Sequence, residues 1–253
     1  MTTRPWSRSE TLVALNLYCQ IPFGRMHSRD PEIVRWAGLI DRTPSALAMK
    51  LTNFASLDPA ITSTGRRGLS NVSSTDRSMW DEMMADWPAF SVEAAQAAAA
   101  LGVPIEGDDN PAGNDQDYSA VERTAEVFVR VGQSLFRRTV LTAYANRCCV
   151  SGLEVPALLV ASHIVPWRAD PTNRLNPRNG LCLSVLHDRC FDAGILSIAA
   201  DMTVLVASSY RDTHDQFFRS TVSVYEGHAI ELPQAFAPDP GLLEYHRSSI
   251  FRG

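Results

Sequence analysis

The sequence predicts an α+β protein in two parts, with a mostly helical beginning and a mixed second half. Three observations support this division. Apolar residues recur at helical spacing over most of residues 1–100. A stretch rich in Gly, Pro, Asp and Asn then interrupts the pattern. Beyond it, short apolar runs alternate with turn residues. We therefore expect a helical domain at 1–100, an acidic linker at 101–119 and a second domain at 120–253.

Helix-start signals place four helices in the first part. Ser7 and Ser9 precede the first, Asp30 with Pro31 opens the second, and a Thr43-Pro44 pair opens the third. The predicted helices cover residues 10–19, 31–40, 45–54 and 74–87. Short helices joined by tight turns are typical of a helix-turn-helix or winged-helix DNA-binding domain. A helical packing or oligomerisation domain explains the same pattern, so both interpretations stay open.

Basic residues in this part are the candidates for contacts with DNA. The third predicted helix carries Lys50, and Arg66 with Arg67 forms a basic turn between two glycines. Such a turn suits the wing of a winged helix or a phosphate contact. We therefore predict that Lys50, Arg66 and Arg67 bind DNA.

The second part is predicted to contain one long helix at residues 121–145 and four short strands. The strands are expected at 158–161, 181–183, 195–198 and 204–206, where short apolar runs occur. This mixture completes the α+β prediction.

Composition and charge exclude several classes of protein. The chain has 253 residues with 45% hydrophobic and 20% charged residues, which is close to the globular average. It has no run of about 18 apolar residues and no apolar leader segment, so we expect a cytoplasmic protein. Five cysteines without framework-like spacing indicate reduced thiols. Although the net charge is −5, residues 131–192 hold seven basic against four acidic residues, so a nucleic-acid partner is not excluded.

Three polar residues in the second part supply, in order along the chain, the parts that phosphodiester hydrolysis needs. The reaction needs a base to activate water, a divalent cation to neutralise phosphate charge, and a rigid scaffold. His163 ends an apolar strand, Asn179 lies in the turn before the next strand, and His187 lies on the short helix that follows. A histidine with a pKa near ~6.5 is largely neutral at pH 7, as a base must be. We predict that His163 is the base, that Asn179 orients it, and that His187 binds the cation.

These residues stand in a pattern that resembles a known family. The matching stretches are Ser151-Gly152, Ser162 to Trp167, Arg174 to Leu181 and Leu186 to Asp192, with flanking similarity over roughly residues 130–250. The pattern resembles the HNH endonucleases, in particular their bacterial restriction-type branch. The resemblance implies a ββα-metal nuclease domain that uses a divalent ion, with Mg²⁺ or Mn²⁺ favoured and Ni²⁺ or Zn²⁺ as alternatives.

One position departs from the family pattern. Many HNH enzymes carry an aspartate directly before the base histidine as a second metal ligand, whereas this chain has Ser162. We therefore expect Asp188 to join His187 at the metal, with Asp192 as a further candidate. Arg174 is expected either to bind a DNA phosphate or to form a salt bridge with Asp170 or Asp192.

The resemblance implies a restriction or defence endonuclease that acts on double-stranded DNA, with target recognition by the N-terminal domain. A single motif copy favours a homodimer, because cutting both strands requires two active sites. Two alternatives stay open: a defence effector nuclease activated by a partner or signal, and a catalytically inactive DNA-binding regulator.

Overall fold

The computed structural model describes residues 4–65, 72–104, 120–211 and 213–253, with side chains from residue 129 onward in the helix that begins at Ala120. The chain divides into two compact units. The N-terminal unit extends to Thr139, and the C-terminal unit begins at Val140. Because residues 105–119 lie outside the described ranges, the predicted linker and the domain boundaries around it stay a prediction.

The described part of the N-terminal unit is helical. Its helices are α1 (Arg8–Tyr18), α2 (Pro31–Leu39), α3 (Pro44–Ala55), α4 (Pro59–Thr62), α5 (Ser74–Ala85) and α6 (Trp87–Ala100), followed by α7 (Ala120–Ala143), which continues into the C-terminal unit. A reciprocal cap starts α1, because the Ser7 hydroxyl accepts from the Glu10 N–H and the Glu10 carboxylate accepts from the Ser7 N–H. Asp30 and Thr43 cap α2 and α3. The predicted helix starts are therefore confirmed to within two residues.

Helix α1 is the centre of this unit. It packs against α3, α5 and α6, and its residues from Glu10 to Tyr18 are all buried. The ring of Tyr18 meets Trp80 edge to face at 5.6 Å and Phe54 at 6.2 Å. Helix α6 was not predicted: five of its last six residues are alanine, and their uniform side chains give little helical contrast.

Lys50 was predicted to contact DNA, but its side chain is buried against Asp76. The side chain is buried, its ammonium lies 2.6 Å from the Asp76 carboxylate, and it lies 4.6 Å from the centre of the Trp6 ring. An ammonium enclosed in this way joins α3 to α5 and is not available to a phosphate, which corrects the prediction for this residue. Arg66 and Arg67 lie outside the described residues, so their DNA contact stays a prediction.

The described C-terminal unit contains two small antiparallel sheets and the helix that connects them. Its elements are β1 (Leu159–His163), β2 (Gly180–Ser184), α8 (Val185–Asp192), β3 (Leu196–Ile198), β4 (Val204–Val206), α9 (Ser208–Arg211), α10 (Gln216–Thr221) and α11 (Pro240–Ser249). Strand β1 pairs with β2, and β3 pairs with β4. Helix α8 packs on β1, β2 and β3, and α11 packs on β3. The four predicted strands are confirmed, and together with the helices they bear out a mixed α and β composition.

None of the helices that the structure describes is both long and apolar enough to cross a membrane.

Candidate active site

The hairpin β1–β2 and helix α8 form one continuous motif around His163. The register pairs His163 at the end of β1 with Gly180 at the start of β2. Strand β2 ends at Ser184, which is also the N-cap of α8, because its hydroxyl accepts from the His187 N–H. No loop separates the strand from the helix, so α8 begins at a fixed position against the hairpin.

A backbone carbonyl fixes the protonation pattern of the His163 ring. The Nε2 atom lies 2.8 Å from the carbonyl oxygen of Arg174. Because a carbonyl can only accept, Nε2 carries the proton and donates it, and the lone pair of the neutral ring is on Nδ1. Burial lowers the pKa of His163 below its usual value of 6.5, although the Arg174 carbonyl and the charge of Asp188 oppose this. The ring is therefore neutral near pH 7, with one nitrogen able to accept a proton.

The indole of Trp167 contacts both the His163 ring and the Arg174 guanidinium. Its indole meets the His163 ring edge to face, with 5.6 Å between the ring centres. The guanidinium of Arg174 lies 5.2 Å from the centre of the same indole. Among the described residues the Arg174 guanidinium forms no ion pair, while the predicted alternative partner Asp170 bonds Asn173 and the Thr172 N–H. The structure thus brings Arg174 beside His163 and holds its side chain against Trp167.

Asn179 closes the loop that follows His163. Its side chain is fully buried, and its Oδ1 accepts from the Val165 N–H at 2.8 Å. Its Nδ2 donates to the carbonyl oxygens of Val165 and Asn173, each at 3.2 Å. Its own carbonyl accepts from the Ile164 N–H at 2.9 Å. These bonds fix the chain on both sides of the loop that carries Arg174, whose carbonyl lies against the His163 ring.

Ser162 lies on the opposite face of β1 from His163. Successive side chains of a strand point to opposite faces, and the register pairs Ser162 with Leu181, which is fully buried. The Ser162 hydroxyl is buried, and it has no hydrogen-bond partner among the described residues. The structure therefore places the Ser162 side chain in the interior, on the opposite face of β1 from the His163 ring.

His187 points into the interior of the C-terminal unit. Its Nε2 lies 2.9 Å from the Thr221 carbonyl oxygen, and its Nδ1 lies 2.8 Å from the Ser184 hydroxyl and 3.5 Å from the Cys148 sulfur. Only 3% of the residue is exposed. Burial raises the pKa of the Cys148 thiol, but bonds from His187 and from Ser151 outweigh it and lower the value to about 6. The predicted metal role of His187 stays a prediction, and both of its ring nitrogens contact other protein atoms here.

Asp188 is the acidic residue of α8 whose charge reaches His163. It raises the pKa of His163, and it also raises the pKa of Asp192 one turn later, where burial is the larger cause. Within the described ranges no group of three or more His, Cys, Asp or Glu side chains converges as a metal cage. One carboxylate with water and phosphate oxygens nevertheless suits Mg²⁺, which keeps several waters and takes few protein ligands.

Sequence reasoning missed two parts of this arrangement. Trp167, to which the motif analysis gave no role, contacts both the His163 ring and the Arg174 guanidinium. The contacts of His187 with Cys148 and Thr221 were not foreseen, although Ser184 stands three positions before His187, the spacing of a helix cap.

A two-stranded hairpin that ends in a histidine, is closed by an asparagine and continues directly into a helix resembles the arrangement of ββα-metal nucleases. Residues 148–199 match the family model described as HNH endonuclease. The matched segment includes β1, β2, α8 and β3, and it supports the resemblance predicted from the motifs. No curated protein matches the chain.

Proposed function

We propose that the chain is a metal-dependent DNA endonuclease with His163 as its general base. The observation that carries this proposal is the bond from His163 Nε2 to the Arg174 carbonyl, which leaves Nδ1 as the proton acceptor. The HNH endonuclease match over residues 148–199 supports a nuclease, and its substrate class is nucleic acid. The lowered pKa of His163 keeps the ring neutral at the pH where water must be activated.

The reaction follows from these placements. His163 Nδ1 removes a proton from a water molecule whose oxygen attacks the phosphorus atom. The bond from phosphorus to the leaving oxygen then breaks, and that oxygen takes up a proton from solvent. A bound divalent cation supplies charge neutralisation at the phosphate. Asn179 holds the loop that carries the Arg174 carbonyl, so it preserves the direction of the base. Arg174, half-exposed beside the base, is placed to bind a phosphate of the DNA backbone.

We infer that the N-terminal part, residues 1–100, recognises the target, that 101–119 is a linker, and that 120–253 is the nuclease domain. Helix α3 leaves Ser45 and Met49 exposed, and its one basic residue is buried, so phosphate contacts would come from Arg66 and Arg67. A restriction or defence role fits a recognition module joined to a cutting module. One copy of the motif favours a homodimer on double-stranded DNA.

Cleavage of plasmid and genomic DNA by the purified chain tests this proposal. Wild type should cut in Mg²⁺ or Mn²⁺, and His163→Ala should reduce the rate by at least about 100-fold, within the range for loss of a general base. His214→Ala is the matched control, because His214 is exposed in the C-terminal unit and should leave the rate unchanged. Equal cleavage by His163→Ala and wild type would refute the assignment of the base.

The same assay separates the two alternatives. An inactive DNA-binding regulator would shift DNA in a gel without cutting it in Mg²⁺, Mn²⁺, Ni²⁺ or Zn²⁺. An effector that requires an activator would cut only after cell extract or a nucleotide signal is added. Cleavage by the purified protein alone excludes both.

A further inference from the structure

We propose that a cavity of the C-terminal unit, on the side of α8 that carries Val185 and Arg189, binds a small amphipathic molecule with one anionic group. The cavity has a volume of about 710 Å³, which lies in the range of binding sites for small molecules. Its walls come from residues 151–158 before β1, from helix α8 and from residues 220–225. The candidate base His163 is not among the residues that line it.

The walls of the cavity are largely apolar. The apolar side chains that line it are Leu153, Leu158, Val185, Leu186 and Tyr225, and of these Leu158 is 48% and Val185 is 45% exposed. Exposed apolar side chains that share one concave surface lose contact with water when an apolar molecule enters. Each methylene group that becomes fully buried strengthens binding by about fourfold. The cavity therefore suits a ligand with an apolar body.

Most polar groups of the cavity are already used within the protein. The hydroxyls of Ser220 and Thr221 donate to the Phe217 carbonyl at 3.0 and 2.6 Å. The Ser184 hydroxyl accepts from the His187 N–H and also contacts the ring of that histidine. The Nε2 atom of His187 lies 2.9 Å from the Thr221 carbonyl oxygen. A sugar or a nucleobase needs several free donors and acceptors, so these ligands fit the cavity less well than an apolar body does.

Arg189 gives the cavity its charge. The side chain is exposed on α8, lines the cavity and forms no ion pair among the described residues. No carboxylate is present among the described residues of the lining. Glu154 and Glu226, which follow lining residues in the sequence, pair with Arg147 and Arg211 instead. A guanidinium beside an apolar cavity can bind a carboxylate, sulfonate or phosphate group while the rest of the ligand packs inside.

A bound molecule would contact the segments that hold α8. His187 joins this helix to Thr221 at the end of α10 and to Cys148 before β1, and the cavity is lined by the neighbours of these residues. A molecule that binds only while these segments are packed together stabilises the folded unit. Because α8 also belongs to the proposed nuclease site, the molecule would regulate cleavage. This regulatory part rests on the proposed function, whereas the binding site does not.

Fluorescence of 8-anilinonaphthalene-1-sulfonate with the full chain tests the site, because this probe joins an aromatic body to one anionic group and becomes bright when it leaves water. Wild type should bind one molecule of the probe. Decanoate should displace it, which would show that an acyl body is also accepted. Butyrate carries the same carboxylate on a chain that is shorter by six methylene groups, so it should not displace the probe at the same concentration.

Two substitutions separate the charge of the site from its shape. Arg189→Met should weaken binding of the sulfonate probe by about tenfold or more, and should change binding of N-phenyl-1-naphthylamine, which has the same rings without the sulfonate, by less than about threefold. Val185→Glu puts a carboxylate at the first position of α8, where an acid suits the helix, and should weaken binding of the sulfonate probe by about tenfold or more. The matched controls are Arg252→Met and Leu232→Glu, because both residues are exposed and neither lines the cavity.

Two further measurements follow the consequence of binding. Decanoate at about ten times its dissociation constant should raise the thermal unfolding midpoint of wild type and slow amide exchange in α8 and α10. It should also change the rate of DNA cleavage by about twofold or more, since a small shift of groups in such a site alters the rate. Val185→Glu should show none of these effects.

The possible results have different meanings. Equal binding of the sulfonate probe by Arg189→Met and wild type would overturn the proposed site. A wild-type dimer that Val185→Glu separates in sedimentation would also overturn it, because the cavity would then be an interface between two copies of the chain. Arg189-dependent binding with an unchanged cleavage rate would refute the regulatory part alone. Absence of cleavage in every condition, with Arg189-dependent binding intact, would refute the nuclease proposal and leave the site standing.

Discussion

Acidification below pH 6.5 should destabilise the C-terminal unit through His246 on α11. The side chain is 1% exposed, and its ring stacks on Phe191 of α8 with 3.6 Å between the ring centres. Its Nε2 donates to the Phe191 carbonyl at 3.1 Å, and its Nδ1 accepts from the Ser197 hydroxyl at 2.9 Å. Burial first, and the charge of Arg247 in addition, lower the pKa of His246 to about 4, although the Phe191 carbonyl opposes this.

The size of the effect follows from the two pKa values. The folded ring has a pKa of about 4 and the unfolded ring has the ordinary value of 6.5, so the unfolded chain binds the proton first. The stabilisation is complete above pH 6.5 and is lost as the pH falls towards 4. At pH 5 the loss should be about 2 kcal/mol relative to pH 7.5, and near pH 4 it should reach about 3 kcal/mol.

Amide hydrogen exchange in increasing urea measures this loss, because peptides from β3, β4 and α11 report the unfolding of this unit. The free energy of unfolding should fall by about 2 kcal/mol between pH 7.5 and 5 in wild type. His246→Gln cannot take up the proton, so its free energy should be lower throughout but much less dependent on pH. The exposed His214→Gln should behave as wild type. An unchanged pH dependence in His246→Gln would show that other groups cause the effect.

Three substitutions test other parts of the structure. Asn179→Ala should reduce the free energy of unfolding by about 2–4 kcal/mol and lower kcat, because it removes three buried side-chain hydrogen bonds. Urea unfolding at pH 7.5 and plasmid cleavage measure these effects. Unchanged values in both assays would contradict the prediction. Lys50→Met should lower the free energy of unfolding by about 3 kcal/mol, because the buried Asp76 carboxylate loses its ion-pair partner. The salt dependence of DNA binding should not change. A weaker salt dependence would show that Lys50 contacts a phosphate. Ser162→Ala should leave the cleavage rate unchanged and the free energy of unfolding equal or higher, because the hydroxyl is buried without a partner among the described residues. A loss of Mn²⁺ binding would contradict the placement of Ser162 in the interior.

The hairpin and the elements around it were predictable from the sequence because their signals are local. The apolar runs predict where β1 and β2 lie, and the turn between them contains Asn176 and Pro177 shortly before Gly180 begins β2. Bonds between residues 11 and 14 positions apart place the His163 ring against Arg174 and the Asn179 amide against Val165. Short spacing of this kind can be recognised in one motif.

The direction of His187 could not be predicted in the same way. It depends on Thr221 and Cys148, which are 34 and 39 positions away, and nothing in the motif marks either as a partner. The burial of Lys50 has the same origin, since Asp76 is 26 positions away. In both cases a polar residue was expected to face solvent or a ligand, and a distant polar group of the same unit provides the contact instead.

The different spacings of these contacts give the two halves of the site different routes to assembly. The segment that orients the base closes on itself within a loop of fewer than twenty residues, at a small entropic cost. The contacts that anchor α8 are complete only when α10 has packed, because His187 contacts Thr221 and Cys148, which are distant in sequence. Loss of the α10 packing would therefore release α8 while leaving the His163 ring bonded to the Arg174 carbonyl.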